Sequence, residues 1–399
     1  VDLTLSAELE ARRAAVRAVV EEHIIPLERE PAAYDEHENI ALPRLETLRA
    51  LVKERGLWTP QLPRADGGLG HCVAEIAVLY EEMGRSIFGP VAFNCAAPDD
   101  GNMTVLSKIA TPAQKARWLA PIVAGTVRSA FAMTEPDGGA GSDPSLMYTR
   151  AERVSGGWRI SGRKWFITGA GEAEHFILIA RTSDDERKGL TAFLFHADQP
   201  GWRIVRRIGI MGPEEHGGHC ELAFDGLEVA DDDVLLGVGD GLKVTQIRLG
   251  QARLTHCMRW LGMARRALEL ALPYVRERKS FGTTLLERES VQGAIGEAAM
   301  GIETGRLLTM RAALALDAGS FARKEISMAK IVVSEALGRA VDTALQLCGA
   351  RGYSRDMLLE WMYRYAPQAR LVDGASAVHR MVVAREFARL GGDFWSWND

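Results

Sequence analysis

A chain of 399 residues, 47% hydrophobic and 25% charged, has ordinary globular composition, and its length suggests two to three domains. A net charge of −5 with both signs mixed along the chain provides no basic stripe for nucleic acid, so an acidic substrate would have to be met by local Arg and Lys. Five scattered cysteines, Cys72, Cys95, Cys220, Cys257 and Cys348, contain no CxxC pair, which argues against a disulfide framework or zinc knuckle and for a reducing setting.

No apolar run approaches the roughly 18 residues of a membrane span. The opening "VDLTLSAELEARR" has no signal-peptide core, and the missing initiator Met suggests a processed or trimmed terminus. The expectation is a bacterial-type cytoplasmic protein without a membrane span.

From the start to about residue 129 the pattern is helical. Leu9, Val16, Val19, Val20 and Ile24 recur at helical spacing behind a Ser6 cap, with Pro26 ending the run. Leu45, Leu48, Leu51 and Val52 mark a second helix that stops at Gly56. From about 150 the texture becomes β: "GGWRISGRKWFITG", "HFILIAR", "LTAFLFHA" and "GWRIVRRIG" are short β-branched or aromatic runs separated by turn residues. After "LEVADDDVLLGVGDG" the helical period returns in long blocks such as "EISMAKIVVSEALGRAVDTALQLCG". No fixed-period repeat or low-complexity tract interrupts this order.

Two segments with suggestive composition carry no cofactor. "GVGDG", Gly237 to Gly241, lacks the third glycine and the βαβ context of a dinucleotide loop, and reads as a β-to-helix connection. "HGGHC", His216 to Cys220, lacks a further ligand at metal spacing and reads as a turn at a strand edge, so no metal is expected.

The chemistry-bearing stretches are three. "FAMTEPDGGAGSD", Phe131 to Asp143, combines open-backbone glycines with the Thr134 and Ser142 hydroxyls and a turn stiffened at Glu135-Pro136; alone, it could equally be a plain loop. "KWFITG" sets Trp165 and Phe166 beside Thr168, suiting a flat heteroaromatic ring, or else filling core. "RERKSFG", Arg276 to Gly282, places cations beside a Phe, suiting pyrophosphate and adenine, or else a solvated helix end.

In order and spacing these pieces resemble the acyl-CoA dehydrogenase family over nearly the whole chain. "MTEPDGGAGSD" and "ERKSFG" look like its two signatures, and "QLCGARGY" is similar to its Gln-x-x-Gly-Gly region with Ala350 for the second Gly. The resemblance implies an α+β, mostly α fold: an N-terminal helical domain at 1–129, a middle β-barrel-like domain at 130–238 and a C-terminal four-helix bundle at 239–399. It implies FAD, with Met133, Thr134 and Ser142 lining the flavin, Phe166 at the flavin-covering position, and Ile167 and Thr168 beside the ring. Arg278 and Phe281 would bind the ADP half, joined by Gln346 and Gly349 of a neighbouring subunit, hence a homodimer or tetramer.

In the family a Glu-Gly pair supplies the base; here "RLVDGASAVHR" puts Asp373 there, before Gly374. The family's other base position, next to the Arg matched by Arg253, is Ala252, so Asp373 is the remaining candidate. Arg253 and Gly374, with Ser142, would meet the substrate. Ala375 and Ala377, replacing polar residues, would lie along the flavin. Without the resemblance, Asp-Gly could be a simple turn and Arg253 a surface cation.

Asp is one methylene shorter than Glu, a retreat of about 1.5 Å, while burial of the base would raise its proton affinity toward that of the enolate. This Asp-Gly, "GNMTVL" and "RLTHCMR" resemble the subgroup of family members ten and eleven and their bacterial relatives. The expected function is dehydrogenation of an acyl-CoA, long-chain, 2-methyl-branched or hydroxylated, to trans-2-enoyl-CoA, with an electron-transfer flavoprotein as acceptor. Two other readings stand beside it: a flavoenzyme similar to nitroalkane oxidase, acting on a non-CoA substrate, and a non-catalytic flavoprotein serving as an interaction platform.

Overall fold

The computed structural model describes residues 4–396; the outer ends of the expected first and last domains, 1 and 399, lie outside them. The order is helices, then strands, then helices, as expected from the sequence. Among the described residues no helix is long and apolar enough to cross a membrane. The chain divides into two compact units, one of 1–33, 72–90 and 253–399 and the other of 34–71 and 91–252.

The first unit begins with α1, Ala7–Val19, whose N-terminus is closed by Ser6 accepting from the Leu9 N–H at 3.2 Å. Helical turns of changed pitch carry the chain on to Arg29, so the α-helix ends before Pro26 but helical winding passes through it. The remaining long elements are α3, Val73–Met83, the later part of α5, Gly241–Glu277, then α6, Glu289–Asp317, α7, Arg323–Tyr353, and α8, Ser376–Leu390. The α3–α5 crossing is close enough to require glycine. A methyl group at Gly84 would stand 2.1 Å from the Arg259 carbonyl oxygen, and one at Gly262 would stand 2.1 Å from that of Glu81.

A charge node ties these helices together. The Glu82 side chain is 2% exposed and takes Arg17 at 2.7 Å, Arg13 at 3.0 Å, Arg265 at 3.3 Å and Arg85 at 3.4 Å. Burial alone would raise its pKa, but the Arg17 hydrogen bond and the surrounding guanidinium charges win and bring it from 4.5 to about 2.

The second unit is built on one sheet, preceded by α2, Leu42–Glu54, and α4, Asp99–Ile109. The strands are β1, Ser129–Ala132, β2, Arg150–Val154, β3, Gly157–Thr168, β4, His175–Arg181, β5, Leu190–His196, β6, Trp202–Arg207, β7, His219–Ala230, and β8, Val234–Leu235. They run in the order β6-β7-β3-β2-β4-β5-β8, with β1 parallel to β4. Side chains alternate across the sheet. Phe176, Leu178 and Ala180 of β4 join Phe193 and Phe195 in one core, while Ile177 and Ile179 join Leu194 and the helical residues Met103, Leu106 and Trp118 in another.

Alternation breaks once where it matters. Between Lys164 and Ile167 β3 advances three residues against two on β7, a bulge, and Phe166 takes a left-handed φ of 49°. The extra residue returns Ile167 to the core and leaves the Phe166 ring 46% exposed.

Glu82→Gln should lower stability by roughly 3 kcal/mol, the cost of breaking a buried ion pair. Because the folded pKa lies below the unfolded one, wild type should lose this contribution as pH falls from 4.5 toward about 2. Denaturant melts against pH should show that acid limb flattened in the variant.

Candidate active site

Asp373 stands in the segment between Arg370 and α8, at φ 54°, followed by Gly374 at φ 102°. Two successive left-handed residues need outside support, and two cations supply it through the main chain. Lys330 of α7 donates to the carbonyls of Ala369 at 2.7 Å and Val372 at 3.0 Å, and Arg253 of α5 donates its Nε–H to the Asp373 carbonyl at 2.7 Å. Lys330 is buried, lies 5.0 Å from the Trp260 ring centroid, and has its pKa lowered by that burial.

The Asp373 carboxylate is 15% exposed and its Oδ2 lies 3.3 Å from His256 Nε2. A side chain at Gly374 would meet the buried His379, whose Nε2 is 3.0 Å from the Cβ position. Burial, then the charges of Arg253 and Lys330, lower the His379 pKa from 6.5 to about 4. The Cys257 thiol, raised by burial to about 12 and bonded to the Arg253 carbonyl at 3.2 Å, stays protonated.

Ala375 precedes α8 at its N-cap without a side-chain cap, and Ala377 is exposed in the first turn, so these positions offer backbone rather than hydroxyls.

In the other unit the glycine-rich loop rests on a buried pair. Lys164, fully buried, donates to Glu135 at 2.8 Å and to the Met133 carbonyl at 2.9 Å. Glu135 also accepts the N–H groups of Tyr148 at 2.6 Å and Thr149 at 2.9 Å. Burial lowers the Lys164 pKa from 10.5 to about 8 against the pull of Glu135. The Trp165 N–H donates to the Thr134 carbonyl at 2.9 Å, fastening the loop to the bulge.

The expected flavin residues meet here in part. The Met133 and Ile167 side chains pack in cores, and their carbonyls already accept from Lys164 and the Ala170 N–H, while Ser142 is exposed. The Thr168 hydroxyl pairs with His219 Nδ1 at 3.0 Å, and His219 Nε2 faces Glu215 at 3.1 Å. Burial opposes protonation of His219, but Glu215 outweighs it and raises the pKa.

A half-exposed ring beside threonine hydroxyls, with open space at Gly138 and Gly141, suits a planar hydrogen-bonding group. These residues therefore fit the FAD implied by the sequence. Phe281 is 98% exposed at φ 50° with Arg288 5.5 Å from its ring centroid, and Arg278, Gln346 and Gly349 are exposed as well. Gly349, at φ 58°, ψ −140°, breaks α7. Among the described residues no hydrogen bond or ring contact joins Arg278 or Phe281 to Gln346 or Gly349.

The sequence reading gave His256, Lys330, His379 and Lys164 no role, and took His219 only as part of the strand-edge turn "HGGHC". His256 alone left a signal there: it follows Arg253 by three residues, hence on the same helix face.

The order of elements and the carboxylate turn define the acyl-CoA dehydrogenase class. Family models agree: the acyl-CoA dehydrogenase N-terminal domain matches residues 6–126, the middle domain 130–227 and the C-terminal domain 239–388. The chain belongs to the acyl-CoA dehydrogenase family. It is 37% identical over 385 residues to acyl-CoA dehydrogenase family member 11 of Gallus gallus, covering 93% of this chain and 49% of that protein. The expected subgroup is thus found, and the chain spans about half the length of that relative.

A probable acyl-CoA dehydrogenase of Mycobacterium tuberculosis is 37% identical over 398 residues, covering 96% of each chain. The structure of butyryl-CoA dehydrogenase from Megasphaera elsdenii superposes with a TM-score of 0.85 at 27% identity, covering 98% of this chain and all of the other.

Lys164→Met should cost roughly 3 kcal/mol, because it strands Glu135 in the interior, and thermal melts of wild type and variant measure it. Separately, the lowered His379 pKa makes its contribution full above the ordinary 6.5 and lost as pH falls toward about 4. His379→Gln should therefore flatten the dependence of the unfolding midpoint on pH in that window.

Proposed function

We propose that this chain dehydrogenates the Cα–Cβ bond of an acyl-CoA thioester to the trans-2-enoyl product. The carrying observation is the Asp373 carboxylate, 15% exposed on a left-handed turn held from α5 and α7. Such a carboxylate can take the proton α to a thioester carbonyl, given a substrate placed against it. FAD, when bound, would accept the hydride from the β carbon. Phe166 would stack on the ring, and Thr134 and Thr168 would hydrogen-bond its edge.

Arg253 orders the base through its main chain, and Gly374 lets a thioester approach without a side chain in the way. Phe281, Arg278, Gln346 and Gly349 would hold the ADP portion across a homodimer or tetramer interface, which agrees with their exposure. An electron-transfer flavoprotein would receive the electrons. The shorter Asp, and the likeness to family member 11, favour a long-chain, 2-methyl-branched or hydroxylated acyl group.

Anaerobic addition of saturated and 2-methyl-branched long-chain acyl-CoAs to the FAD-loaded protein should bleach the flavin absorbance. Asp373→Ala should keep FAD and lose at least 1000-fold in reduction rate, on the order of a general base's contribution. Equal bleaching in the variant overturns the base assignment. Reduction by nitroalkanes but by no thioester selects the non-CoA reading, and a flavin inert to both selects the platform.

A further inference from the structure

The segment "RLTHCMRW" gives α5 a face on which Arg253, His256, Cys257 and Trp260 lie at helical spacing. Arg253 donates to the main-chain carbonyl of Asp373 at 2.7 Å, and one turn later His256 Nε2 stands 3.3 Å from its carboxylate oxygen Oδ2. One helix face therefore meets the same residue at backbone and side chain.

Resting on the acyl-CoA dehydrogenation proposed above, we infer that His256 is a positioning residue for Asp373: a neutral imidazole whose Nε2–H is fixed toward the carboxylate, holding it ionised and aimed for α-proton removal.

Three observations define the state of the ring. Arg259 Nη2 lies 3.2 Å from His256 Nδ1, and a guanidinium can only donate, so Nδ1 must accept and the ring proton sits on Nε2. The Trp260 indole stacks on the imidazole at 4.9 Å and 22°, fixing the plane in which that N–H points. Burial, and then the charge of Arg259, lower the pKa of the ring against the opposing pull of Asp373.

The charged and titratable groups around the pair come from three helices: Arg253, Cys257 and Arg259 from α5, Lys330 from α7 and His379 from α8. Arg253 donates to the Asp373 carbonyl, Lys330 to those of Ala369 and Val372, and Arg259 to the imidazole. An aspartate one methylene short of the family's glutamate cannot reach further, so its aim has to be right; a directed N–H provides that.

The test uses the FAD-loaded full chain, wild type, His256→Leu and His256→Gln, with anaerobic reduction by a saturated long-chain acyl-CoA followed from pH 5 to 9. His256→Leu should slow reduction roughly 10- to 100-fold, as a displaced base does, with half-saturation changed less than about twofold. The acid limb of the rate should move up by about one pH unit, because a carboxylate deprived of a donor holds its proton more tightly. His256→Gln, which retains an N–H, should recover most of the rate and of the limb.

Identical losses in Leu and Gln variants, or an unmoved acid limb, overturn the inference in favour of a purely packing role. A second readout needs no turnover: nitrogen-15 histidine spectra should show one ring, missing in His256→Gln, as the neutral Nε2–H tautomer at pH 7. An Nδ1–H or doubly protonated ring overturns the inference. A neutral Nε2–H ring in a wild type that no acyl-CoA reduces overturns the proposed function and leaves the pair standing.

Discussion

The helical unit's candidate site depends on how Lys330 and Arg253 hold the main chain at 369–374. Asp and Gly tolerate a left-handed backbone, but it is the donation by these two cations to the carbonyls of Ala369, Val372 and Asp373 that fixes this turn in one place. Burying a lysine costs free energy that two carbonyls and the Trp260 face only partly return. That cost makes sense as the means of presenting one carboxylate at a fixed place.

The same device recurs in the other unit, where Lys164 lies beneath the glycine-rich loop and anchors Glu135 and the Met133 carbonyl. The loop's glycines supply open backbone, but a chain that flexible would not hold a shape by itself. Four hydrogen bonds to one buried carboxylate and its lysine convert it into a fixed edge beside the bulge that exposes Phe166. Glu82 is the counterpart among the helices, holding four arginines from α1, α5 and the turn that follows α3.

The fold was legible because its two textures are distinct: the 3.6 spacing of Val16, Val19 and Val20, and short continuous apolar runs such as "HFILIAR" set between turn residues. The candidate base could be picked out as well, since its Asp-Gly motif is local in sequence. What the chain did not disclose were the groups that meet it from afar. Lys330 reads as one more helical lysine, and only packing of α7 against 369–372 gives it a role. Lys164 occupies an ordinary alternating strand position, so its burial depends on a carboxylate 29 residues earlier. The bulge at 165–166 was equally hidden, because an extra residue in one strand is defined only against its partner.

The identity of the groups around Asp373 bears on how a carboxylate can be both ionised and basic. A cation bonded directly to it would favour ionisation but weaken it as a base, because every stabilisation of the anion is lost when it takes up a proton. Here Arg253 and Lys330 donate to main-chain carbonyls of the turn, and burial lowers the pKa of the imidazole facing the carboxylate. Hydrogen bonding from a neutral donor fixes direction at a smaller cost in proton affinity than a salt bridge. Positive charge thus shapes the backbone of the turn, and in the proposed dehydrogenation the neighbouring ring would be left to aim the side chain.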